Sequence, residues 1–68
     1  MNISEKIEFI NQNIEFWEAE LINSNAAQSF LEELGDQLKI NMNIQYVHDI
    51  ELRLNILNNE KEALTNQA

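Results

Sequence analysis

The 68-residue chain contains no cysteine and no proline, and its only glycine is Gly35. Without cysteine, disulfides, zinc ribbons, iron–sulfur clusters and thiol catalysis are excluded. A single glycine rules out a glycine-rich loop that cradles a nucleotide. Bases are few. Lys6, Lys39, Arg53 and Lys61 stand singly against twelve acids, for a net charge of −8. A phosphate-binding surface needs clustered Lys and Arg, so direct nucleic-acid binding is not expected. The same argument disfavours an anionic membrane surface. No stretch approaches the roughly 18 apolar residues of a membrane span. The segment Met1 to Ile10 carries Glu5, Lys6 and Glu8 and lacks the positive start and apolar run of a secretory signal. The expectation is a cytoplasmic protein.

Catalytic chemistry is equally thin. His48 is the only histidine, with Asp49 beside it and Glu51 three residues on. One histidine and two carboxylates make a weak metal signal, and no metal or cofactor is expected. Nothing places His48 beside Ser4, Ser24 or Ser29 to form a triad. Carboxylates on single helix faces stay ionised and solvated unless a pocket desolvates them. A chain this short offers little room for one. The protein is not expected to be an enzyme.

What the chain does hold is apolar residues, 44% of the total, which suits a folded domain. Residues 1–68 read as one small domain. Such a domain buries only about 60% of the surface its unfolded chain exposes, so its own core is marginal. Small scaffolds commonly recruit a partner chain.

The first segment is the clearest. Ile3, Ile7, Ile10, Ile14, Trp17 and Leu21 recur at alternating steps of four and three. That stripe predicts an amphipathic helix over residues 3–22. Asn2 with Glu5 has the capping-box spacing at its start. Asn23-Ser24-Asn25 reads as a turn, since Asn can close one helix and Ser or Asn can cap the next. Asn25 with Gln28 repeats the capping-box spacing. A second helix then begins near Asn25, with Ala27, Leu31, Leu34 and Leu38 as its stripe and Phe30 alongside. Gly35 either closes a helix or sits inside one at a cost of about 1 kcal/mol.

From Leu38 to Ile56 two patterns compete. Leu38, Ile40, Met42, Ile44 and Tyr46 alternate with polar residues, as do Ile50, Leu52, Leu54 and Ile56. Period-two alternation is a strand signal. A hairpin turning at Val47-His48-Asp49 would place these residues on one face. Against it, Val-His-Asp suits a three-residue loop poorly, and Asn41, Asn43 and Asn55 are poor strand residues. A helical register of Val47, Ile50, Leu54, Leu57 and Leu64 also runs through the segment. The favoured fold is all-α: an antiparallel helical hairpin, helix 1 short and helix 2 long, associating into a dimeric bundle. The alternative is α+β, with a β-hairpin over 38–57 and a short C-terminal helix. A long helix apolar all round must be buried all round, which a single partner helix cannot do. Homodimerisation or a higher oligomer follows.

The functional expectation is a small acidic protein-interaction module, an inhibitor, adaptor or co-chaperone. Between Ile7 and Leu38 there are seven acids and no base. Antiparallel packing across residues 23–25 would bring Glu15, Glu18 and Glu20 together with Glu32, Glu33 and Asp36 on one hairpin. Their summed field favours a protein partner with a basic surface. Phe9, Phe16, Met42 and Tyr46 are the apolar candidates for partner contact, because aromatics and Met are enriched at interfaces. Two rival readings are an acidic mimic that blocks a nucleic-acid-binding enzyme, and a self-assembling bundle with no outside partner.

Overall fold

The computed structural model describes residues 1–67. The described residues form two helices: α1, Ile3–Leu34, and α2, Gln37–Gln67. They lie antiparallel as an all-α hairpin about 50 Å long and 15 Å across. The lengths are nearly equal, so the expectation of a short first and long second helix is corrected. No strand occurs among the described residues, and the β-hairpin alternative over 38–57 falls with it.

The start of α1 is built as its sequence indicates. Asn2 Oδ1 accepts from the Glu5 amide at 2.8 Å, and Glu5 Oε1 accepts from the Asn2 amide at 3.4 Å. This reciprocal box satisfies two otherwise orphaned donors. The turn lies at Gly35, not at residues 23–25. Gly35 takes the left-handed conformation, φ 71°, and its amide reaches the carbonyls of Leu31 and Glu32 at 3.1 Å each. Asp36 follows and starts α2, its Oδ1 accepting from the Lys39 amide at 3.1 Å. One left-handed glycine and one Asp cap therefore make the whole connection.

Burial explains why α1 runs on through Asn23-Ser24-Asn25. The inward positions of α1 are Ile3, Ile7, Ile10, Ile14, Trp17, Leu21, Ser24, Gln28 and Leu31, and those of α2 are Asp36, Ile40, Asn43, Val47, Ile50, Leu54, Leu57, Lys61 and Leu64. Both rows alternate steps of four and three without a break, the a and d positions of a coiled-coil seam. The heptad continues past Leu21, but its next two members are polar. Ser24 is 6% exposed, and Asn43 meets it from α2. Asn43 Nδ2 donates to the Ser24 carbonyl at 2.9 Å and to Gln28 Oε1 at 2.8 Å. A polar layer inside the seam reads locally as a turn, because Ser and Asn serve both purposes.

The apolar seam centres on Ile10 and Ile14, at 8% and 7% exposure, and on Ile50, which is fully buried. Carrying the register outward from the Gln28–Asn43 bond sets Leu21 opposite Ile50, Ile14 opposite Leu57 and Ile7 opposite Leu64. The alternation from Leu38 to Ile56 is helical after all. Its members off the seam, Leu38, Met42, Ile44, Tyr46, Leu52 and Ile56, remain exposed.

Candidate functional site: two unlike sides of one hairpin

A two-helix seam leaves each helix two flanks. In an antiparallel pair the g positions of both helices line one side of the seam, with the c positions beyond them. The e and b positions line the other side. Two shallow grooves mark the first side. One is lined by Asn13, Trp17, Arg53, Ile56 and Leu57, the other by residues including Leu31, Met42 and Tyr46. A groove on the opposite side is lined by Asn25, Ile44, Val47, His48 and Glu51 among others.

The chemistry of the two sides differs. Phe9, Phe16 and Phe30 occupy c positions of α1, and Met42 and Ile56 c positions of α2. Tyr46 and Leu34 occupy g positions on the same side. All seven are exposed. Lys6, Lys39 and Arg53 are also g residues, so three of the four bases lie here, accompanied by Glu20, Asp49 and Glu60. Acids and bases are thus matched on this aromatic side. Trp17 reaches it from the seam: Phe16 meets its ring edge-on with centroids 5.0 Å apart, and the Arg53 guanidinium lies 4.8 Å over it. Such a stack holds Arg53 in place through the ring quadrupole.

The e and b side carries Glu8, Glu15, Glu18, Glu32, Glu51 and Glu62 and neither Lys nor Arg. Ile22 and Ile44 are its exposed apolar residues. The continuous α1 changes the expected acid cluster. Glu15, Glu18 and Glu20 do not fold back onto Glu32, Glu33 and Asp36, because all but Asp36 belong to one helix. The two groups are separated along it by roughly 20 Å at 1.5 Å per residue. Glu15, Glu18 and Glu32 share the acid side. Glu20 faces the aromatic side, Glu33 points away from the seam at an f position, and Asp36 caps α2. Glu51 joins the acid side from α2.

Of the apolar candidates, Phe9, Phe16, Met42 and Tyr46 do share one side. Phe30, Ile56 and Arg53 belong with them, beyond the site residues expected from the sequence. Their signal is the heptad: Phe9, Phe16 and Phe30 recur at whole multiples of seven, which becomes visible once the seam is followed past Asn23. No group of three or more metal-ligating side chains forms among the described residues. No helix among them is long and apolar enough to cross a membrane. The chain matches no protein-family model, no curated protein and no solved structure.

Proposed function

We propose that this protein is a non-catalytic interaction module that binds a protein with a basic surface through its acid side. The observation that carries this reading is the segregation of exposed charge. Three bases sit on the aromatic side, and six acids without Lys or Arg sit on the other. A surface of one sign steers an oppositely charged partner and speeds encounter more than it adds affinity. The acids do not form an unbroken row. Ile22, Asn25, Ile44 and His48 interrupt them between Glu18 and Glu32. That mixed surface suits a protein, which offers apolar contacts as well as charge, better than it mimics a phosphate backbone.

The test is a triple reversal, Glu15→Lys, Glu18→Lys and Glu51→Lys, against a partner captured from the native host. Association should slow several-fold at low salt and differ little at high salt. Exposed charges contribute under about 1 kcal/mol each, so the fold should persist. Unchanged kinetics at low salt would reject the acid side as the binding surface.

A further inference from the structure

We propose that the aromatic side is covered by a second copy of this chain, with the twofold axis parallel to the long axis of the hairpin. This surface lies opposite the acid side. Phe16 and Phe30 lie two heptads apart on α1, and Met42 and Ile56 lie two heptads apart on α2. Each of the latter two borders one of the two grooves on this side, of about 600 Å³ at Met42 and Tyr46 and about 330 Å³ at Ile56 and Trp17. A twofold axis along the hairpin lays α1 of one copy antiparallel over α2 of the other at the same height. Phe30 of each copy then meets the groove at Met42, and Phe16 meets the groove at Ile56. The small Ala27 falls opposite Tyr46.

Charge fits the same arrangement. In the register that pairs the phenylalanines with the grooves, Glu20 of one copy lies level with Arg53 of the other, twice over by symmetry. The Arg53 guanidinium already lies over the Trp17 ring, which keeps its charge on this side of the seam. The acid sides, where like charges would repel, face outward on both copies. Size agrees as well. A face of 50 × 15 Å is close to the roughly 800 Å² per partner of a standard specific interface. The result is an antiparallel four-helix bundle.

Sedimentation equilibrium of the full chain at micromolar concentration should give twice the chain mass. A monomer, or a species larger than a dimer, overturns the proposal. The pairing is tested with two charge variants whose helicity is checked by circular dichroism. Glu20→Arg and Arg53→Glu should each weaken self-association by about tenfold or more. Mixed one to one, they should regain dimer formation, because both contacts between positions 20 and 53 then join opposite charges, one of them with its signs exchanged. Should either single variant fail to fold, the double variant Glu20→Arg/Arg53→Glu serves: it should form its own dimer and refuse to exchange with the wild-type chain. Free exchange, or a mixture no tighter than either variant alone, overturns the pairing. Reversal of Glu15, Glu18 and Glu51 should leave the dimer mass unchanged, so this proposal and the acid-side proposal fail separately.

Discussion

Gly35 is where a single residue decides the architecture. Its positive φ is costly for any residue with a Cβ, yet a Cβ built there meets no atom within 4 Å. The requirement is therefore purely one of backbone conformation. Gly35→Ala should destabilise the hairpin by about 1 kcal/mol, and Gly35→Asn by less, since Asn tolerates the left-handed region. Urea midpoints followed at 222 nm measure both. Equal stability of the three chains would mean the turn can be made in another conformation. Nearby, Asp36 shows how one side chain can serve two levels of structure. It belongs to the seam repeat and also caps the first turn of α2.

At the scale of the element, the polar layer of Ser24, Gln28 and Asn43 is the feature that distinguishes these helices from a plain apolar seam. A half-buried amide with two partners contributes modestly when satisfied and costs more when its partner is orphaned. Asn43→Leu alone should destabilise by about 1–2 kcal/mol, because the half-buried Gln28 Oε1 loses its donor and an apolar side chain takes that donor's place. Gln28→Leu combined with Asn43→Leu should recover most of that loss, since leucines then face each other across the seam. A double-mutant cycle in urea measures the coupling; additive losses would show that water already satisfies Gln28. The same layer explains how far the sequence can be read. The stripe from Ile3 to Leu21, the Asn2 cap and the Val47-to-Leu64 register are all legible, because apolar residues mark every turn but that of Lys61. The position of the turn is not, because the seam becomes polar at Ser24, and Asn-Ser-Asn satisfies the local rules for a loop. The alternation from Leu38 to Ile56 misleads for a related reason: this helix places apolar residues on its flank as well as on its seam. A flank that meets another surface and a strand face that meets a core produce the same local pattern.

The whole molecule is governed by a charge of −8 distributed unevenly over a thin rod. On the acid side Glu8, Glu15, Glu18, Glu51 and Glu62 run from the open end to the middle of the hairpin, α2 bringing its two acids level with those of α1. Helix dipoles do not offset them, because the positive end of α1 and the negative end of α2 lie side by side at the open end. On the aromatic side acids and bases are equal in number and attract one another. The two sides therefore respond to salt in opposite senses, and magnitude decides which prevails. The six acids of one side have no Lys or Arg among them, whereas the three acids and three bases opposite largely cancel, so repulsion adds over more pairs than attraction does. At about 10 mM salt the Debye length is near 30 Å and spans the acid cluster; at about 150 mM it falls to near 8 Å and separates most of its members. Repulsion in the compact state should fade over that range. The thermal midpoint, followed at 222 nm at one fixed protein concentration, should rise by several degrees as sodium chloride increases from about 10 to about 150 mM. Reversing Glu18 to Lys should flatten that rise by placing a base among the acids. A midpoint that falls with salt would mean that attraction across the aromatic side outweighs the repulsion, and the acid side would then exert too weak a field to steer a partner.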